Sequence, residues 1–215
     1  MESRRESRAQ ARSRSESKEL TRQALLRGAL KLLARNSFDS ISLREVTREA
    51  GVSPTAFYRH FDDMEELGLV LVEESFGSLR QMLRSSRADP TMYTHAIRRS
   101  VEVVVIHVHD HESHMRFIAR ERYGGVRRLR RAIRRELGLF ADELAVDLVA
   151  FPVISGWSTD DRRMFAALIT ETMVAMAAEL TDAGRDEEPD IVARTTRQMQ
   201  LITVGVPNWA PARRP

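Results

Sequence analysis

The densest grouping of recognition chemistry in this 215-residue chain lies between residues 42 and 60. There Ser42, Arg44, Ser53, Thr55, Ala56, Tyr58, Arg59 and His60 follow one another at the spacing of two short helices. Hydroxyl, phenol, imidazole and guanidinium groups donate to phosphate oxygens and base edges, and small side chains let a helix approach the groove floor. The chemistry expected is reversible recognition of double-stranded DNA. Ser42 and Tyr58 should hold phosphates, while Thr55, Ala56 and Arg59 approach base edges. Covalent chemistry has no comparable support. The chain contains no cysteine, no G-x-S-x-G, no H-E-x-x-H and no P-loop. No catalytic residue and no cofactor is assigned.

Histidines supply the one rival constellation. Five of the six lie between residues 95 and 114, and His107, His111 and His114 stand at i, i+4 and i+7, as on one face of a helix. That spacing suits zinc or iron. Asp110 and the polar His111-Glu112-Ser113 read instead as a helix break and a new cap, which would scatter the three rings. Surface histidines at a helix junction are expected, and no metal is assigned.

The elements that must position the first group are legible around it. Ser42 can cap a helix, with Glu45 three residues on reaching back, and Ile41 and Val46 form the hydrophobic staple. Leu43, Val46 and Ala50 share one face, and Gly51 stands where the chain needs a left-handed turn. Ser53 caps the next helix and Pro54 takes its first position. Phe57 and Phe61, one turn apart, should point inward. The pattern is a helix-turn-helix.

The run SLREVTREAGVSPTAFYRHF (42–61) resembles the DNA-binding domain of the TetR family of bacterial transcriptional regulators, with the likeness extending from about Glu19 through Leu67. Most members carry a lysine at the start of the linking helix, at the position held here by Met64 behind Asp62 and Asp63. The free N-terminus of that helix is expected to present its N–H groups to a phosphate in place of the lysine. The head, DDMEELGLVLVEES after it, RFIARERYG (116–124) and RRAIRRELGLFADELA (130–145) together resemble one branch, the FabR/DesT-like repressors of unsaturated fatty-acid synthesis, which also lacks that lysine. The likeness is weak after Gly156. It implies a long-chain acyl-CoA or fatty acid as effector and genes of lipid metabolism as targets. It also implies that Leu79, Leu83, Val101, Val104, Val108, Phe117, Ile133, Leu137, Phe140 and Met173 line the ligand. Arg120, flanked by apolar Phe117, Ile118 and Ala119, is the candidate for its headgroup. The alternative within the same family is a regulator of efflux or catabolism that senses an unrelated small hydrophobic compound.

Charge agrees with the head as the DNA-binding end. Residues 1–60 hold 13 Lys+Arg against 7 Asp+Glu, whereas residues 61–215 hold 21 against 24. The arginines between Arg120 and Arg135 form a second cluster, read as a solvated face of which a few could grip CoA phosphates. Residues 1–17 are Ser, Arg and Glu with few apolar side chains, and read as a disordered basic arm. Two roles stand open for it, a minor-groove arm or a solvated tail.

Elsewhere helices alternate with short polar breaks, which predicts an all-α fold of nine helices in two domains. Residues 18–61 form the head, 62–207 the ligand-binding and dimerisation body, and 208–215 a tail. A long helix from Asp62, capped by Asp62 with Glu65, links head to body, and Pro90 starts the next. Helices 159–182 and 190–205 carry more apolar residues than one core stripe needs: Phe165, Leu168, Met176, Ala177, Leu180, Val192, Met199 and Ile202. That surplus predicts a homodimer and hence a palindromic operator. No uninterrupted apolar run of spanning length and no signal peptide is read, so a cytoplasmic protein without membrane association is expected.

Overall fold

The computed structural model describes residues 2–86 and 93–209, with side chains described for 15–82 and 97–209. Among the described residues there is helix and no strand, as the alternation of helices and polar breaks predicts. Ten α-helices follow in order: α1 Glu2–Leu33, α2 Leu43–Glu49, α3 Pro54–Phe57, α4 Met64–Ser86, α5 Tyr93–Asp110, α6 Glu112–Glu121, α7 Arg127–Asp147, α8 Pro152–Ser155, α9 Thr159–Asp182 and α10 Glu188–Val204. The tenth, beyond the nine expected, is the single turn α8 that Pro152 opens.

Two local expectations are corrected. Residues 2–17, read as a disordered arm, continue α1 as helix. No glycine or proline interrupts them, and extending an existing helix avoids the nucleation cost that isolates a short polar segment. The cap of α4 sits one residue later than expected. Asp63 Oδ1 accepts from the Glu66 N–H at 2.7 Å, and the Glu66 carboxylate accepts the Asp62 N–H. Those N–H groups are therefore taken by the chain's own carboxylates and are not free for a phosphate. Pro90 lies outside the described residues.

The head is built as its sequence dictates. Ser42 Oγ accepts from the Glu45 N–H at 3.3 Å while Glu45 Oε2 accepts from the Ser42 N–H at 2.8 Å, closing the capping box. Gly51 takes φ +67°, the left-handed turn between α2 and α3. Phe57 and Phe61 are buried with their rings 5.5 Å apart, beside Leu25, Ala29 and Val46.

No boundary separates the core of the head from that of the body. Leu67 and Leu71 of α4, Phe117 and Ile118 of α6, and Leu129, Ile133 and Phe140 of α7 belong to the same hydrophobic cluster as the head phenylalanines. Phe38 is the bridge, its ring 6.3 Å from Phe117. Gly68 makes room for it: a Cβ there would stand 2.7 Å from the Phe38 ring.

Hydrogen bonds tighten this joint. Arg120 Nη1 donates to the carbonyls of Leu33 (3.2 Å) and Asn36 (2.8 Å), satisfying acceptors that the end of α1 leaves open. Next to it Glu121, 1% exposed, accepts the Phe38 N–H at 2.9 Å. Burial pushes the Glu121 carboxyl above its usual range, and Asp39 adds to this, while the Phe38 bond and Arg120 oppose it. A raised folded-state pKa means that stability from this group is full below the unfolded pKa and lost as pH rises through the folded one. Glu121→Gln, which keeps the acceptor and removes the charge, is therefore expected to unfold at higher urea than wild type at pH 7, with the gap closing towards pH 4. Glu121→Ala should lose about 1–3 kcal/mol by orphaning the Phe38 N–H. A glutamine variant weaker than wild type at pH 7 would show that the charge itself holds the joint.

Candidate DNA-reading head and effector cavity

On the outer side of the head Arg44, Thr55, Tyr58 and Arg59 are exposed, with Tyr58 63% open to solvent, and Ala56 is half-buried. Hydrogen bonds from Arg59 N to Ala56 O and from Phe61 N to Phe57 O carry the helical path past α3, so these side chains fan from one rigid turn. Tyr58 stands edge-on to Phe57, rings 5.6 Å apart, which anchors the phenol while leaving its hydroxyl outward. Ser42 and Ser53 are exposed but engaged. Ser42 Oγ also donates to Glu45 Oε2 at 2.7 Å, and Ser53 Oγ accepts from the Ala56 N–H at 3.2 Å. His60 is turned inward. Its Nδ1 is buried without a partner among the described residues and its ring lies 6.5 Å from that of Phe61. Burial, then the charges of Lys18 and Arg22, push its pKa down.

Below the head, a cavity of about 610 Å³ opens between α4, α5, α6, α7 and α9. Phe76, Leu79, Val104, Met115, Ile118, Leu137, Phe140 and Met173 contribute to its walls, and His107 joins them. The exposed Arg99, Ser100, Val146 and Ala150 stand at its rim. A second cleft of about 510 Å³ adjoins it and shares Leu137 and Thr170 with it. Its wall is cationic, with Arg122, Arg130 and Arg134. Arg122 pairs with Glu171 at 2.7 Å and lies over the Tyr123 ring. Arg130 donates to the carbonyls of Gly124 and Gly125. Arg80 ties the cavity roof to its side wall: it bridges from α4 to Glu136 and Glu143 of α7 and lies over Phe140 at 5.1 Å. A helix that carries the head is thus bonded directly to a cavity wall.

Residues 25–69 match the family model described as bacterial regulatory proteins, tetR family. The matched stretch runs from the last turns of α1 to the first of α4 and contains the whole helix-turn-helix. Over these residues the chain is similar to the DNA-binding head of that family. The fold extends the likeness over nearly the whole chain. The fatty acid degradation regulator FadR from Bacillus halodurans superposes with a TM-score of 0.70 at 17% identity, over 86% of this chain and 95% of that one. FadR from Bacillus subtilis, solved in complex with stearoyl-CoA, gives 0.67 at 16% identity, over 85% and 98%. A TetR-family regulator from Chloroflexus aurantiacus gives 0.59 at 19% identity, over 87% and 93%.

Within this TetR-type fold the structure gathers some predicted lining residues and disperses others. Leu79, Val104, Leu137, Phe140 and Met173 line the cavity. Val101 and Val108 are buried in packing away from it, and Phe117 and Ile133 belong to the core shared with the head, Ile133 also touching the cationic cleft. The Leu83 side chain lies outside the described residues. Arg120, expected at a ligand headgroup, is instead bonded to the end of α1. The histidines reverse expectation as well. Helix α5 does end just before His111, the N-cap of α6, yet the rings of His107 and His111 lie 4.6 Å apart and those of His111 and His114 6.1 Å apart. His107 is buried rather than on the surface, although no group of three metal-ligating side chains is placed to hold an ion among the described residues. His107, Phe76, Met115 and Ile118 are among the lining residues that sequence reasoning missed. For Phe76 and Ile118 the helical apolar periodicity was the available signal, but it does not separate cavity from core.

The last two long helices pack on each other and leave apolar side chains outside. Phe165, Met176 and Met199 are consumed by the chain's own core. Leu168, Met164, Leu201 and Val204 are exposed, Leu201 by 74%. By length and composition α9 is long and apolar enough to cross a membrane, although its apolar run is not uninterrupted. Within 164–181 only Glu171 and Glu179 are charged, and 22% of the apolar window is buried in the chain.

Proposed function

We propose that the protein is a homodimeric transcriptional repressor, acting in the cytoplasm, whose hold on a palindromic operator is set by a long-chain acyl-CoA or fatty acid bound beneath α4. One observation carries this reading: an apolar cavity of about 610 Å³ adjoins a cleft walled by Arg122, Arg130 and Arg134. Its volume falls within the roughly 300–1,000 Å³ of small-molecule sites. An acyl chain is all apolar surface, and CoA carries phosphates that guanidinium forks match. The arrangement suits a ligand with both. Stearoyl-CoA bound to a similarly folded regulator supports the same class. The response is mechanical. Filling the cavity displaces α4 relative to α7 across the Arg80 bridge, and α4 carries the reading head. The spacing of the two heads in a dimer is then the bistable quantity that the ligand biases.

Operator sequences can be enriched from random duplex DNA with the protein itself, and acyl-CoAs of increasing length then titrated into the complex. Each buried CH₂ contributes about 0.8 kcal/mol. Lengthening the chain by two carbons should therefore tighten binding about tenfold until the cavity is full. Arg134→Ala should weaken acyl-CoA more than the matching free acid. By linkage, the factor by which a ligand changes operator affinity must reappear in its own affinity with operator present. If no acyl-CoA or fatty acid shifts operator binding while an unrelated apolar or cationic compound does, the effector belongs to another class and only the regulator reading stands.

A further inference from the structure

The wall of the cavity is largely apolar, and His107 is the most deeply buried of its few polar side chains. This side chain is 2% exposed, and its Nε2 is buried with no hydrogen-bond partner among the described residues. Buried polar side chains are otherwise almost always satisfied. Packing alone does not call for an imidazole here, because Val104 precedes it by one turn on the same cavity wall and a leucine would fill similar space. The other polar groups of the wall have work elsewhere. Thr170 Oγ1 donates to Ala166 O at 2.9 Å, and Asp147 has its own interaction within the chain. Arg99 and Ser100 stand at the exposed rim, about 10 Å up α5 by helical rise.

From this geometry we infer that His107 Nε2 is the recognition atom of the cavity, and that it hydrogen-bonds an uncharged oxygen of the ligand: the carbonyl of a thioester, ester or amide, or a hydroxyl. The inference rests on the effector reading above and adds the class of polar group the site accepts. Neutral imidazole can present either an N–H to a carbonyl or a lone pair to a hydroxyl. It cannot neutralise a carboxylate. Protonation of His107 is opposed first by burial and then by His111 and His114, with Asp110 pulling the other way, and its pKa is brought down to about 4. A free carboxylate seated at Nε2 would be a buried charge without a counter-charge, which is disfavoured far more than an unpaired carbonyl. The site therefore discriminates an esterified or reduced chain end from the free acid.

The test uses the full-length protein and three C16 probes: palmitoyl-CoA, 1-hexadecanol and palmitate. Binding is read by the emission of the neighbouring pair Trp157 and Trp209, of which Trp157 packs on Phe165 beside the cavity residue Phe151. Wild type should bind the first two at least about tenfold tighter than palmitate at pH 7, after the CoA contribution is removed by comparison with Arg134→Ala. His107→Leu should lose about tenfold for thioester and alcohol while leaving palmitate unchanged, and His107→Gln should recover part of the loss. The leucine variant should also melt at a higher temperature without ligand, since it removes an unpaired buried group. This second readout separates lost recognition from lost folding. If His107→Leu binds thioester and alcohol as wild type does, the inference is overturned and the effector reading survives. If wild type binds palmitate tightest and His107→Leu abolishes that preference, His107 is a carboxylate site and the inference is wrong in its class. If wild type binds none of the three, both readings fall.

Discussion

Arg59→Ala is expected to lower affinity for the selected operator by about 1–3 kcal/mol while leaving affinity for unrelated duplex nearly unchanged. The guanidinium is exposed at the end of the turn that Ala56 and Phe57 hold rigid, so its removal should cost the proposed base-edge contact without loosening the head. Tyr58→Ala should behave differently. Its ring is braced on Phe57 and its hydroxyl directed outward, the geometry of a phosphate contact, which weakens all sequences about equally when lost. Side-by-side titration of operator and scrambled duplex at one salt concentration distinguishes the two. If both variants bind operator as wild type does, DNA is read by another surface. His60→Ala serves as a comparison: with its Nδ1 buried, the change should affect stability more than specificity.

The second large effect concerns the proposed dimer. Leu168→Glu combined with Leu201→Glu should convert the protein to a monomer that remains fully helical. Both side chains are more than half exposed in the single chain, so the charges cost its own core little. In a two-fold assembly each would instead be buried twice over against its symmetry mate. Linking two half-site contacts typically raises affinity by about 10²–10⁴, and operator binding should fall by that factor when the link is cut. Half-sites about 34–36 Å apart, or a multiple of that, are expected in the enriched sequences. Sedimentation at micromolar concentration reads the state directly. Wild type sedimenting at the mass of one chain would leave the exposed apolar faces of α9 and α10 without this explanation.

What could be read from the sequence alone was whatever depends on neighbours in the chain. The capping box of Ser42 and Glu45, the turn at Gly51, Pro54 at its helix start and the inward pair Phe57 and Phe61 each involve residues within four positions of one another. Local hydrogen bonding and sterics settle them before any tertiary contact forms, which is why the head was legible to the residue. The all-α character followed in the same way, from period and caps. Even local reasoning slipped where two carboxylates compete for one role, as Asp62 and Asp63 do at the start of α4.

Function beyond the head depends on which faces meet across the chain, and there the tertiary structure decided. Arg120 has apolar neighbours in sequence, yet its partners are the carbonyls of Leu33 and Asn36, more than eighty residues away. Phe117 and Met173 look alike as inward apolar residues, but one packs on Phe38 and the other borders a void. His107, grouped by spacing with surface histidines, is a buried polar side chain of the cavity wall. The physical reason is common to all three. Hydrophobic periodicity specifies that a side chain turns inward, because burial is non-directional and scales with apolar area. Whether it then meets another side chain or an empty space is set by how helices distant in sequence pack.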